Sequence, residues 1–485
     1  MANDFDWDTL LNTALRHAAT YRQSLATRRV AAAASTERQL EALGQLGGMP
    51  NDGRSPNEVL DELVQLAEPG ITSMSGPRFF GWVTGGTLPA AVAADWMTSI
   101  WDQNAGPAAG APSASAFELT ALKWVAELLL LPERARGALV TGATMANLTA
   151  LAAARSHVLC AVGWDVEQDG LFAAPAVRVL VGQERHDTVD KALRLLGFGK
   201  RAMVCLDADG QGRMQAQALQ RELDASSGPV IVCAQAGNVN SGAFDPLPEI
   251  HEAIARYRAR HGAELCWLHV DGAFGLWARA AAATAGLARG TELADSWATD
   301  AHKFLNVPYD SGIVLTCHPR AQRRAMAVHG AYLSSGNPTA IPTPGAFAPE
   351  LSRRARGFAV WAALRQLGKR GVDELVTRCV SHAQLLSTEL RQVSGLRIMN
   401  DVVFNQVVVH AEAPSGIDAR EWTHQLAVAL QAEGTCYATP TIWRGSPALR
   451  FSIINADTST DDILLSARAV TQVYRGLHGS HVSPG

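Results

Sequence analysis

A mostly parallel β-sheet covered by helices on both faces, followed by a smaller α+β module, is the architecture expected of this chain, and three observations point to it. Between about residues 137 and 316, short β-branched runs alternate with helical patterns, the signature of strands joined by crossover helices. The 485 residues are 47% hydrophobic and 18% charged, which leaves room for a large core and excludes disorder as the main state. After a helical pattern from Gly345 to Leu367, further helices and two strand-like runs follow as a second unit.

The elements can be taken in order. Helical patterning over Thr9 to Thr27 and Ser55 to Ala67 opens the chain, and a Gly/Pro-punctuated passage from Gly76 to Pro112 is too long for a simple linker. Six short apolar strands are expected at Ala138 to Thr141, Val177 to Val181, Ala202 to Leu206, Val230 to Ala234, Cys266 to Val270 and Ile313 to Thr316, with an amphipathic helix at Leu247 to Tyr257. The turn-rich stretch Leu333-Ser334-Ser335-Gly336-Asn337-Pro338-Thr339 predicts a mobile loop placed to act as a lid. Helices near Val372 to Arg391 and Ala419 to Ala432 and strands at Val402 to Val409 and Leu449 to Ile454 complete the chain. The expected division is a helical N-terminal segment over 1–110, a large α/β domain over 111–345 and a small α+β domain over 346–485.

Composition excludes several classes of function. Forty-two Lys plus Arg against 46 Asp plus Glu gives a net charge of −4 with no basic stripe, so no nucleic-acid partner is expected. Apolar runs such as Leu128 to Leu131 fall short of the ~20 residues that span a bilayer, and the acidic start Met1 to Asp8 lacks the pattern of a secretory signal. A cytoplasmic protein without membrane contact is the expectation. Seven singly scattered cysteines (Cys160, Cys205, Cys233, Cys266, Cys317, Cys379 and Cys436) read as small buried hydrophobes, and no metal site is expected.

Three constellations could carry chemistry. Gly137 to Leu148 runs from strand through small residues into a helix start, where free N–H groups, the positive end of the helix dipole and the Thr144 hydroxyl suit a phosphate. An ordinary strand-to-helix turn with a threonine cap has the same pattern, and the absence of a following lysine excludes a P-loop. In Trp267 to Gly275, Asp271 follows directly on a buried strand, where carboxylates face the ligand crevice of α/β sheets. It could hold a protonated ring nitrogen, bind a metal or cap a turn. In Asp295 to Pro308, Lys303 beside His302 is placed for Schiff-base chemistry rather than solvation. His186, opening a helix, and Tyr332, ahead of the turn-rich stretch, are further candidates.

Taken in order, these pieces resemble the pyridoxal-phosphate-dependent group II amino-acid decarboxylases, the family of aromatic-L-amino-acid, histidine and glutamate decarboxylases. The resemblance starts at Pro77-Arg78-Phe79-Phe80-Gly81 and runs through Phe117-Glu118-Leu119, Thr141 to Asn147, Gly242-Ala243-Phe244-Asp245-Pro246, His269-Val270-Asp271 and Asp300-Ala301-His302-Lys303. It ends with Thr441 to Gly445 and Leu449-Arg450-Phe451-Ser452. It implies the fold type I architecture with a seven-stranded large sheet, pyridoxal 5'-phosphate as cofactor, an L-amino acid, aromatic ones among the candidates, as substrate, and a homodimer with shared active sites.

The resemblance also implies roles. Lys303 would carry the cofactor, Asp271 would pair with its ring nitrogen, His186 would stack on the ring and Ala273 would pack beneath it. Ala143, Thr144 and His302 would meet the phosphate, and Asp300 would stand where relatives have Asn or Asp. Tyr332 would return a proton to the carbon that loses carbon dioxide, its loop reaching into the neighbouring subunit's site. This chain departs from the family at Gly272, where Ala is usual, at Ala301, where Pro is common, and at Asn238-Val239-Asn240, where relatives carry a threonine run. Other outcomes on the same cofactor remain open, namely carbon–carbon lyase chemistry and decarboxylation coupled to aldehyde formation, although Tyr332 speaks against the latter. A non-catalytic relative sits poorly with Lys303, Asp271 and His186 together.

Overall fold

The computed structural model describes residues 6–328 and 343–482. Seven strands form its large sheet: β1 (Arg136–Val140), β2 (Arg178–Gly182), β3 (Met203–Leu206), β4 (Val230–Gln235), β5 (Cys266–Asp271), β6 (Ser296–Asp300) and β7 (Gly312–Thr316). Their spatial order is β1-β7-β6-β5-β4-β2-β3. Strands β2 to β6 pair in parallel, and β7 runs antiparallel to both β1 and β6.

Every residue of β4 and β5 is buried, because helices cover both faces of the sheet. Alternation along the strands then sorts side chains between two cores. Val232, Leu268 and Val270 join the helix Leu247–His261 on one face, whereas Ile231, Cys233 and Trp267 meet the helix Ala143–Cys160 on the other. By the same period, His269 and Asp271 point toward the Ala143–Cys160 side. Strand polarity brings the ends of β5 and β6 and the start of that helix to one edge of the sheet.

Strand β6 was not anticipated beyond a short apolar segment ahead of Lys303. Its sequence, Ser-Trp-Ala-Thr-Asp, is too polar to read as a core strand, yet all five residues are buried. Lateral pairing with β5 and β7 satisfies its backbone, and specific partners satisfy its side chains.

A second, antiparallel sheet contains β8 (Leu396–Ile398), β9 (Gln406–Ala411), β10 (Thr439–Trp443) and β11 (Ser446–Ser452), in the order β10-β11-β9-β8. The helix expected from Gly345 begins only at Gly357. The segment before it forms a short 3₁₀ turn, Pro344–Phe347, and then irregular chain. Gly368, at φ 60° and ψ −179°, breaks the Gly357–Arg391 helix and leaves the second half close to the expected Val372 to Arg391. The strand expected from Val402 starts at Gln406, and the helices Pro89–Trp101 and Thr460–Val482 went unrecognised.

Five cysteines are buried as expected, but Cys160 and Cys205 are exposed. Cys160 ends its helix, and Cys205 lies on β3, the edge strand of the sheet. Among the described residues, no helix is long and apolar enough to cross a membrane, and no group of three or more metal-ligating side chains occurs.

Candidate active site

A cavity of about 290 Å³ opens at the edge of the large sheet where β5, β6 and the helix Ala143–Cys160 converge. Gly142, Ala143, Thr144, His186, Asp271, Ala273, Asp300, His302 and Lys303 all line it. Eight of the nine site residues expected from the sequence are therefore brought to one place. Tyr332 lies outside the described residues.

The floor of the cavity is the turn between β1 and its helix. Gly142 precedes the helix and offers no capping side chain of its own, which leaves the first-turn N–H groups after Ala143 open to an anion. This turn lies against the start of β7. A Cβ at Gly312 would fall 2.4 Å from the Cα of Gly142, so a side chain there would displace the turn. The Ala143 N–H donates to Asp300 Oδ1 at 2.6 Å, which ties the helix start to the end of β6.

Asp300 is 2% exposed and gathers the cationic groups. Its Oδ2 lies 2.9 Å from Lys303 Nζ and 3.5 Å from His302 Nε2. Burial holds His302 below the usual imidazole range, and its Nδ1 accepts the Ser311 N–H at 3.1 Å. The neutral ring therefore carries its proton on Nε2, facing Asp300. Tyr309 stacks on the His302 ring at 4.2 Å. Lys303 Nζ sits 5.9 Å from the centre of the Phe274 ring.

Asp271, at the end of β5, has a donor on each oxygen. Asn147 Nδ2 donates to Oδ2 at 3.1 Å and the Ala273 N–H donates to Oδ1 at 3.2 Å. His186 caps the helix Asp187–Leu195, its Nδ1 accepting the Thr188 N–H at 3.2 Å and lying 2.8 Å from Thr188 Oγ1. Gly272 follows from packing: a Cβ there would come within 2.7 Å of the Leu276 Cβ.

Several lining residues were not singled out from the sequence. Trp82 and Val83 form one wall with consecutive positive φ angles of 49° and 60°, strained for residues with side chains. The Trp82 N–H donates to Thr439 Oγ1 of β10, and its ring lies 5.3 Å from Tyr437, so the chain at the edge of the second sheet holds this wall. Position next to Phe79-Phe80-Gly81 was the only signal available for them. Asn147 was read as part of a motif and Thr188 as the helix start beside His186, but the polar network that joins them is visible only in three dimensions.

The residues present fit pyridoxal phosphate. A helix N-terminus with a glycine N-cap suits its phosphate, a carboxylate its ring nitrogen and a lysine amine its aldehyde. Comparison with known proteins agrees. The chain is 28% identical over 432 residues to the aromatic-L-amino-acid decarboxylase of Bacillus atrophaeus, covering 86% of this chain and 85% of that protein. It is 29% identical over 408 residues to the L-2,4-diaminobutyrate decarboxylase of Rhizobium meliloti (strain 1021), covering 81% and 77%. Its fold matches that of Oryza sativa TDC with PLP and tryptamine at a TM-score of 0.89, with 21% identity over 99% of this chain and 100% of that one. Mouse CSAD matches at 0.86, again with 21% identity, over 96% and 98%. Residues 46–412 match the model of the pyridoxal-dependent decarboxylase conserved domain, and the chain belongs to that family as a pyridoxal-phosphate-dependent amino-acid decarboxylase.

Proposed function

We propose that Lys303, Asp271, His186 and Tyr332 carry the decarboxylation of an L-amino acid with an apolar or aromatic side chain, releasing the amine. The observation that carries this reading is the convergence of Lys303, Asp300, Asp271 and His186 on one cavity whose wall also includes Trp82, Val83 and Val239. None of those three wall residues is charged, which supports an apolar substrate over an acidic or diamino one.

Bound pyridoxal phosphate supplies an electron sink for the pair left behind when the carboxylate departs. The protein's own residues do the rest. Lys303 would hold the cofactor, and its ammonium, 2.9 Å from Asp300 Oδ2, would pass a proton to that carboxylate to free the amine as a nucleophile. Asp271, fixed by two donors, would hold the ring nitrogen and help keep it protonated. His186, its Nδ1 engaged by Thr188, would hold the face of the ring. Ala143, Thr144 and His302 surround the phosphate position, and Ala273 closes the opposite side. Tyr332 delivers the proton to the substrate carbon.

The working unit is proposed to be a homodimer with shared sites. Helix Pro56–Ala67 has no buried residue and helix Trp7–Ser24 only Thr13, so both leave apolar side chains such as Leu15 and Leu63 in solvent. Met97, Ile100 and Trp101 on the helix Pro89–Trp101 and Tyr309 beside His302 are 40–56% exposed as well. A second copy would cover this surface. The division at residues 110 and 345 and a cytoplasmic location complete the proposal.

A screen of the protein amino acids for carbon dioxide and amine release tests the reading. Turnover of tryptophan, tyrosine or phenylalanine well above that of glutamate or diaminobutyrate is expected. Preference for a charged substrate, or aldehyde in place of amine, contradicts it.

A further inference from the structure

A chain of buried hydrogen bonds runs from the sheet interior to Asp271. Trp267 Nε1 donates to Ser296 Oγ at 2.8 Å, and Ser296 Oγ lies 2.9 Å from His269 Nδ1. His269 Nε2 lies 2.9 Å from Asn147 Oδ1, and Asn147 Nδ2 reaches Asp271 Oδ2 at 3.1 Å. Trp267, Ser296, His269 and Asn147 are all fully buried. Strand pairing builds the middle of the chain, since His269 of β5 stands opposite Ser296 of β6.

The direction of every proton in this chain follows from its ends. An indole N–H can only donate, and an ionised carboxylate can only accept. Asn147 must therefore turn its amide nitrogen to Asp271 and its oxygen to His269. His269 in turn carries its proton on Nε2 and accepts the Ser296 hydroxyl on Nδ1. Burial keeps this histidine neutral, pushing it down to about 3, so it presents one donor and one acceptor. The second Asn147 amide hydrogen faces Thr188 Oγ1 at 3.4 Å, and Thr188 Oγ1 lies 2.8 Å from His186 Nδ1.

We propose that Asn147 is the positioning residue of the active site: one amide, oriented by His269 and Ser296, aligns Asp271 and, through Thr188, the imidazole of His186. The two side chains assigned to the ring nitrogen and the ring face are thus set by a single group that touches neither substrate nor the reacting atoms. A reversed amide would place its oxygen against the Asp271 carboxylate, and the Trp267 to His269 chain prevents that reversal. A merely structural network would support folding without affecting the ring nitrogen.

This inference rests on the role proposed for Asp271, and the experiment separates the two. Wild type, Asn147→Leu and Ser296→Ala are loaded with pyridoxal phosphate isotopically labelled at the ring nitrogen, and its NMR resonance is recorded alongside kcat and KM. The wild-type resonance is expected in the protonated range. In Asn147→Leu it moves toward the unprotonated value, with kcat down about ten- to a hundredfold and KM nearly unchanged. Ser296→Ala, whose side chain contacts neither Asp271 nor the cavity, moves it the same way. A folded, loaded Asn147→Leu with the wild-type resonance overturns the inference. Should Asn147→Leu not fold, an unmoved resonance in Ser296→Ala overturns it instead. An unprotonated ring nitrogen in the wild type overturns the Asp271 role, and this inference with it.

Discussion

At the scale of single residues, the site works by giving each charged group a fixed partner. Asp271 has a donor on each oxygen, and Asp300 holds Lys303 and the start of the helix Ala143–Cys160 together. Asp271→Ala is expected to lower kcat at least about a hundredfold while cofactor affinity falls far less, read from steady-state kinetics beside a cofactor titration. Near-normal turnover in a cofactor-saturated variant would show that Asp271 does not face the ring. His269 makes a pH prediction. Burial lowers it from its ordinary value near 6.5 to about 3. The unfolded chain thus takes up a proton below pH 6.5 that the folded protein refuses. Its contribution is fully present above pH 6.5 and is lost at about 1.4 kcal/mol per pH unit as pH falls toward 3. Chemical denaturation of wild type and His269→Gln across this range should show the steeper fall in wild type, and parallel curves would contradict the assignment. Lys303, Asp271 and His186 were legible in the sequence because each sits at a strand end or helix start. Trp82 and Val83 were not, because their place depends on contacts with a domain more than three hundred residues away.

Between elements, the sheet edge illustrates how burial and charge are reconciled. β1 is an edge strand, and the exposed side of its ladder is closed by a fully buried pair, Glu118 and Arg353, at 2.9 Å. Glu118 Oε1 accepts the Leu139 N–H at 3.0 Å, and the Arg353 guanidinium donates to the Leu139 carbonyl. The pair thus ties the helix Pro112–Leu128 and the chain before Gly357 to the strand that leads into the helix Ala143–Cys160. Glu118→Ala is expected to cost about 3–5 kcal/mol in chemical denaturation, because it strands a buried guanidinium. A loss under about 1 kcal/mol would mean that the pair is not closed in solution. Strands β1 to β5 and β7 were legible as apolar runs, to within a residue or two at their ends. β6 escaped because Ser296, Thr299 and Asp300 are buried for their hydrogen bonds and not for their hydrophobicity. The delayed start at Gly357 and the break at Gly368 escaped because the apolar pattern runs through both.

For the whole molecule, the N-terminal helices bury almost nothing within their own chain, and this predicts a dimer by light scattering at working concentration. Mixing Lys303→Ala with Tyr332→Phe under conditions of verified subunit exchange should restore part of the amine production, since a mixed dimer holds one site with both wild-type residues. No recovery would place Tyr332 within its own chain, and a monomer would remove the shared site. The family was legible from motifs spread over most of the chain, whereas the substrate was not, because the cavity lining joins Trp82 and Val83 to residues such as Val239 that lie far along the chain. The central claim, that this is an amino-acid decarboxylase holding its cofactor on Lys303, is tested most directly by borohydride reduction of the holoenzyme followed by peptide mass spectrometry. The account predicts a pyridoxyl adduct on Lys303, absent in Lys303→Ala together with turnover. An adduct on any other lysine, or none at all, would contradict it.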